Sequence, residues 1–207
     1  QLVELENEAK TAMLVAVDGR AEGIIAVADS LRESALPAIK MLKQMGIDLY
    51  ILTGDNQRTA YAIASQLGID NVIAEVLPGD KAARVMELKN SGKRVAMVGD
   101  GINDAPALAT ADVGIAIGTG TDVAMETSGI TLMSGDLRSI IIAIQLSCAT
   151  MKHIKQNLFW AFIYNIIGVP FAALGLLSPV IAAGAMALSS VTVVSNSLRL
   201  RRFKATL

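Results

Sequence analysis

The sequence predicts an α/β protein, a parallel sheet covered by helices on both faces, followed by a two-helix transmembrane hairpin. Three observations predict it. From Asp29 to about Met133, short apolar runs alternate with helix-like amphipathic segments, the pattern of a parallel sheet wrapped by helices. From Gln156 to Leu177 and from Val180 to Leu198 the chain is nearly uncharged, each stretch about long enough to cross a bilayer. Hydrophobic residues make up 53% of the 207, above the roughly 45–50% of soluble domains, so apolar surface has to be placed somewhere beyond an ordinary core.

The elements follow in order. Gln1 to Lys10 is polar and helix-prone, with four charges, and is no signal peptide. The first residue is Gln rather than Met, which hints at a processed or partial chain. The apolar runs Ala12–Val17 and Gly23–Ala28 flank Asp18-Gly19, a hairpin signal. Two strands alone are marginal, so this hairpin is expected to belong to a larger sheet. A helix fits Glu33–Met45, with Pro37 in its first turns and Gly46 as its stop. Strands are expected at Ile47–Leu52, Val72–Val76, Arg94–Val98, Val113–Ile117 and Ile130–Met133. Helices are expected at Gln57–Leu67, closed by Gly68, and at Asp80–Ser91, Asn103–Thr110 and Thr121–Ser128.

In the apolar C-terminal zone, Ser178-Pro179 separates the two spans. Lys152 and Lys155 precede the first; Arg199, Arg201, Arg202 and Lys204 follow the second. Basic flanks mark the cytoplasmic side, so both ends are expected in the cytoplasm, with the uncharged turn outside. That makes the chain an integral protein of the cytoplasmic (plasma) membrane. Ala182, Ala183, Gly184, Ala185 and Ala187 allow close packing on neighbouring helices. A buried helical hairpin of a large soluble protein is the alternative. His153, the only histidine, falls between the two lysines and marks the membrane surface. A formal net charge of −1 gives no bulk field for nucleic acid. Cys148 is the only cysteine, which excludes an intramolecular disulfide and suits a reducing cytoplasm.

The segment with most chemistry is Gly99-Asp100-Gly101-Ile102-Asn103-Asp104-Ala105-Pro106. Two carboxylates four residues apart, flanked by glycines at the end of a strand, suit a hard cation and a phosphate. Helix capping by Asn103 or Asp104, with Pro106 in the first turn, explains one acid and the proline. It leaves Asp100 and the paired glycines unexplained. Thr53-Gly54-Asp55-Asn56 repeats the strand-then-loop arrangement. Its hydroxyl and backbone amides can hold a phosphoryl oxygen, and an N-cap by Asp55 or Asn56 accounts for it equally well. Lys81 falls in the first turn of a helix, where the dipole disfavours a cation unless an anion is bound; a solvated surface lysine is the commoner explanation. The spans carry Tyr164, Asn165, Met186, Ser189, Ser190 and Asn196 and no charged residue. Met186 and Ser190 share a helical face. A thioether without a carboxylate suits Cu⁺, although methionine is ordinarily packing.

Taken together, Thr53-Gly54-Asp55-Asn56, Lys81, the segment from Gly99 to Pro106, and Gly118-Thr119-Gly120-Thr121-Asp122 resemble the heavy-metal branch of the P-type ATPases, in order and spacing, across nearly the whole chain. Tyr164-Asn165, Met186 and Ser189-Ser190 look like its Cu⁺-exporting group. The resemblance implies a haloacid-dehalogenase-like (Rossmann-like) phosphorylation domain over 29–150. It makes 1–28 the C-terminal edge of a nucleotide-binding domain and 151–207 the last two transmembrane helices. By the same resemblance Asp100 binds Mg²⁺, supported by Asp104 and Asn103. Thr53 holds the transferred phosphoryl group, Lys81 neutralises its charge, and Gly54 and Asp55 position it for dephosphorylation. Tyr164, Asn165, Met186 and Ser190 line the ion path. Mg²⁺ and ATP serve the complete pump, and Cu⁺ is the transported ion. The implied partners are membrane lipid, the missing N-terminal part of the pump and a Cu⁺ donor, with no nucleic acid.

The family's Asp-Lys-Thr-Gly-Thr segment, which carries the phosphorylated aspartate, is absent here, as is its Cys-Pro-Cys motif; Ser30 stands where many relatives have Pro after Asp29. The chain therefore reads as a C-terminal portion without its nucleophile, inactive alone. A catalytically inactive, membrane-tethered regulatory module derived from such a pump is the alternative. A soluble phosphatase of the same fold is disfavoured by the missing nucleophile and the hairpin. In the related fold the nucleophile strand lies between the strands at 47–52 and 94–98. Without it, those two strands are expected either to leave a gap or to close together.

Overall fold

A computed structural model describes residues 1–28, 30–100, 103–118, 126–176 and 178–206. The chain divides into two compact units, Gln1–Ile140 and Ile141–Leu207.

The first unit opens with helix α1 (Leu2–Asn7) and the hairpin of β1 (Thr11–Val17) and β2 (Arg20–Val27). Asp18 and Gly19 have φ of 49° and 78°, the pair of left-handed residues that a tight hairpin turn requires. The strands pair antiparallel from Thr11↔Val27 to Val17↔Arg20, with a bulge between Val15 and Ala16. No described strand joins them, and Met13, Leu14, Val17, Ile25 and Val27 are all at least half exposed. The larger sheet expected for this hairpin is not made by the described residues. Buried Glu6 on α1 accepts a 3.0 Å hydrogen bond from Arg58, and the Thr59 hydroxyl donates to the Lys10 carbonyl at 3.1 Å. These bonds fasten α1 and the turn that follows it to the helix that carries Arg58 and Thr59.

The α/β region then follows as α2 (Ala35–Gln44), β3 (Tyr50–Leu52), α3 (Gln57–Leu67), β4 (Asn71–Ile73), α4 (Lys81–Asn90), β5 (Ala96–Gly99), α5 (Ala105–Thr110), β6 (Val113–Ile117) and β7 (Ile130–Leu132). α3 and β6 match the sequence expectation; the other elements of this region are shorter than expected, and two are also shifted, β4 beginning one residue early at Asn71 and β5 ending one residue late at Gly99. The predicted helix at Thr121–Ser128 falls largely outside the described residues. Two parallel sheets form. β3 pairs with β4, and β5, β6 and β7 pair in that order. β3 and β5 do not pair, and no described strand lies between them. Of the two expected alternatives, closure of β3 onto β5 does not occur.

Val85, Met97, Ala107 and Leu108 form the buried cluster, against which Leu52, Val95 and Ala111 pack. The carboxyl end of β3 thus meets the core that carries β5. At the far end of the unit, the Arg32 guanidinium donates to the Gly135 carbonyl. Asp136 accepts from the Arg138 amide at 2.8 Å, and the Arg138 guanidinium holds its carboxyl down to about 2.

Two long helices follow, α6 (Arg138–Ala173) and α7 (Pro179–Leu198), the latter capped by the Ser178 hydroxyl accepting from the Ile181 amide. Among the described residues one helical stretch, Val180–Arg202, is long and apolar enough to cross a bilayer, and only 6% of its most apolar window is buried. Of the first predicted span, Gln156 to Leu177, residues 156–173 lie in α6, which ends at Ala173; they include Gln156, Asn157 and Asn165, whose amides dilute its apolarity. Asn157 links the two helices. It donates to the Ser197 hydroxyl at 2.8 Å and accepts from Asn196 at 2.8 Å.

Candidate phosphoryl and cation site

In a parallel sheet, ligands bind beyond the carboxyl ends of the strands. Here those ends deliver the segments 53–56 after β3 and 100–104 after β5.

The first segment is tightly bonded. The Thr53 hydroxyl donates to Asp55 at 2.8 Å and accepts from the Asp55 amide at 3.1 Å. The Thr53 carbonyl accepts from Val76, and the Asp55 carbonyl from Glu75. A Cβ on Gly54 would lie 3.3 Å from the Val76 carbonyl oxygen, tighter than a side chain ordinarily sits. Asn56, not Asp55, caps α3, accepting from the Thr59 amide at 2.9 Å. Capping therefore accounts for Asn56 and leaves Thr53 and Asp55 held for another purpose.

The second segment is shaped by a pair far apart in sequence. Lys81, at the start of α4, donates to Asp104 at 2.7 Å, and both side chains are about 15% exposed, at 15% and 14%. This answers the dipole problem of Lys81 with a protein carboxylate. Asp104 stands at the head of α5 but makes no side-chain capping bond. Asn103 is exposed. Asp100 is exposed too, and no described residue bonds its carboxylate. Of the two acids predicted to act on a cation, one is engaged by lysine and the other is free. Gly101, Ile102 and most of the segment Gly118 to Asp122 lie outside the described residues.

Gly99 explains why glycine precedes the first acid. A Cβ there would lie 2.5 Å from Asp104 Oδ2 and 2.8 Å from its Cβ. The space is filled by the Asp104 side chain itself. Gly99→Ala is expected to push Asp104 off Lys81 and to cost about 1–3 kcal/mol of stability. Urea unfolding of the full chain in detergent measures this, and the cost shrinks in a Lys81→Met background if the ion pair carries it. A full-sized cost in that background would place the strain elsewhere.

The donor chemistry fits Mg²⁺. A free carboxylate at a strand end, without a closed protein cage, suits an ion that takes one or two carboxylates and fills its shell with substrate oxygens. No cluster of three or more potential ligands occurs among the described residues, so a site closed by protein donors alone is not present there.

The predicted ion-path residues divide between two helices. Tyr164 is half-buried on α6. Exposed Asn165 donates to the Ala161 carbonyl at 2.9 Å. Met186 is 72% exposed, and its carbonyl accepts from the Ser190 hydroxyl at 3.2 Å. The bonds of Asn165 and Ser190 stay within their own helices, and no hydrogen bond among the described residues joins these four side chains. His153 is half-buried, with an unpartnered Nδ1.

The haloacid dehalogenase-like hydrolase family model matches residues 1–112. The chain belongs to that family. Over 99% of its length it is 60% identical to the copper-exporting P-type ATPase of Bacillus subtilis (strain 168). Over 98% it is 60% identical to the copper-exporting P-type ATPase of Staphylococcus aureus (strain bovine RF122 / ET3-1). It spans about a quarter of the length of these curated relatives, 25% in each case. Among solved structures, a zinc-transporting PIB-type ATPase in the E2.Pi state aligns with 95% of this chain and 32% of its own, at 43% identity and a TM-score of 0.82. The catalytic domain of the CPx-ATPase CopB-B aligns with 61% of this chain and 50% of its own, at 32% identity and a TM-score of 0.50.

Proposed function

We propose that this chain is the part of an ATP-driven Cu⁺-exporting P-type pump that carries the Mg²⁺ and phosphoryl site and part of the ion path. The observation that carries the reading is 60% identity to copper-exporting pumps over 99% of the chain, together with a free carboxylate at the strand end where those pumps would need one. In this reading 1–28 is the edge of a nucleotide-binding domain, 29–150 the phosphorylation domain and 151–207 the last two membrane helices. The exposed apolar hairpin of β1 and β2, and the unpaired β3 and β5, are surfaces that a missing remainder would cover. The nucleophile strand belongs between β3 and β5.

Phosphoryl transfer is mostly positioning and charge stabilisation, and the residues divide that work. Asp100 binds the cation. Bound Mg²⁺ supplies neutralisation of the charge on the transferring phosphoryl oxygens. Asp104 orients the site while fixing Lys81, whose ammonium draws the phosphoryl charge. Asn103 adds an amide on the same loop. Thr53 offers its hydroxyl and the Gly54 backbone its close approach, with Asp55 holding Thr53 in place. In the membrane, Tyr164, Asn165, Met186 and Ser190 face the missing helices and line the path of Cu⁺. The basic flanks hold both hairpin ends in the cytoplasm.

The test is a chimera in which this chain replaces the matching quarter of the Bacillus subtilis pump. Cu⁺-stimulated ATP hydrolysis is expected at near the native rate, and none from this chain by itself. A chimera that folds and inserts but shows no Cu⁺-stimulated hydrolysis overturns the reading.

A further inference from the structure

We propose that the cytoplasmic end of α6 carries a binding site for an anionic phospholipid, with Lys152 and Lys155 on the phosphate and Trp160 and Phe159 on the acyl chain. The inference rests on the reading of this unit as membrane-embedded.

An open groove of about 550 Å³ runs along one face of α6, lined by Met151, Lys152, Lys155, Phe159 and Trp160 among others. The residues recur at helical spacing, so one stripe carries two cations at one end and two aromatic rings at the other. Phe159 and Trp160 meet edge to face, with centroids 5.5 Å apart. They are 58% and 41% exposed, so apolar ring surface is left uncovered beside the lysines.

The charge balance points to an anion. No Asp or Glu follows Asp136, while the unit from Ile141 onward carries Lys152, Lys155, Arg199, Arg201, Arg202 and Lys204. None of the six makes an ion pair or a side-chain hydrogen bond among the described residues. The fold also gathers them. Gln145 donates to the Thr206 carbonyl at 2.9 Å and accepts from the Thr206 amide at 3.0 Å. Asn157 bonds Asn196 and Ser197. Between these two fastenings the stretches 145–157 and 196–206 run alongside each other, so all six cations sit at one end of the helix pair. Six cations without a countercharge repel one another unless anions join them. A phospholipid supplies a phosphate at the depth of the lysines and a chain at the depth of the rings. Juxtamembrane basic clusters draw anionic lipid by about 1 kcal/mol per cation, a factor of about five.

Trp160 is the only tryptophan, so its emission reports on the groove alone. The experiment places the full chain in bilayers containing brominated phosphatidylglycerol or brominated phosphatidylcholine and measures quenching. Phosphatidylglycerol is expected to occupy the site at least about fivefold more strongly. The preference should vanish in Lys152→Gln/Lys155→Gln and persist in Arg201→Gln/Arg202→Gln. Equal quenching by both lipids overturns the lipid site but keeps the membrane reading. No quenching by either overturns the membrane reading itself. A preference lost only in the arginine variant assigns the lipid to the other stretch and overturns the groove.

Discussion

Asp100→Asn, introduced into the chimeric pump, is expected to reduce Mg²⁺-dependent phosphorylation by at least about a hundredfold. The side chain keeps its size and loses its charge. Asp100 has no partner among the described residues, so nothing in the fold is lost with the charge, and folding should be unchanged. Asp104→Asn should differ in kind. Its carboxylate is held by Lys81 at 2.7 Å in a largely buried pair, so its loss leaves a lysine uncompensated. That variant should lose stability as well as activity, whereas Asp100→Asn should lose activity alone. Phosphorylation titrated with Mg²⁺, beside unfolding midpoints, separates the two. Native Mg²⁺ dependence in Asp100→Asn rejects the assignment.

The difference between these two acids was not legible in the sequence. Spacing four apart in a glycine-flanked loop marks both as candidates. What separates them is Lys81, 23 residues away, brought in by the packing of α4 and α5 around Val85 and Leu108. No local pattern encodes that approach. Gly99 is similar. Its need for hydrogen at Cα comes from the Asp104 side chain, not from a turn with positive φ. Legible features were those with a short-range cause. Asp18-Gly19 demanded its own turn, Gly68 stopped α3, and alternation of apolar runs with helices specified parallel ladders. Strand ends were overestimated because apolar residues such as Val95 pack on the core without joining a ladder. The bonds of Asn157 to Asn196 and Ser197 were likewise invisible, since amides on separate helices carry no spacing signal.

Met186→Leu keeps the side-chain volume near native and removes the sulfur. In the chimeric pump it is expected to lower Cu⁺-stimulated turnover by about tenfold or more, with phosphorylation by inorganic phosphate largely intact. The reason lies in what surrounds the residue. Met186 is 72% exposed, so in this unit its thioether is not core filler, the ordinary role of methionine. One turn on, the Ser190 hydroxyl is spent on the Met186 carbonyl, which leaves the sulfur as the free donor of that face. No charged residue lies in either apolar stretch, and a site with sulfur but no carboxylate favours Cu⁺ over a harder divalent ion. The comparison that decides is ATP hydrolysis with Cu⁺ and Zn²⁺ side by side, because similarity runs both ways, at 60% identity to copper exporters and 43% to a zinc transporter. Stimulation by Zn²⁺ and not by Cu⁺ in the unsubstituted chimera overturns the copper assignment and leaves the pump assignment standing. Equal loss of Cu⁺ turnover and of phosphorylation by inorganic phosphate in Met186→Leu makes the residue a packing element after all.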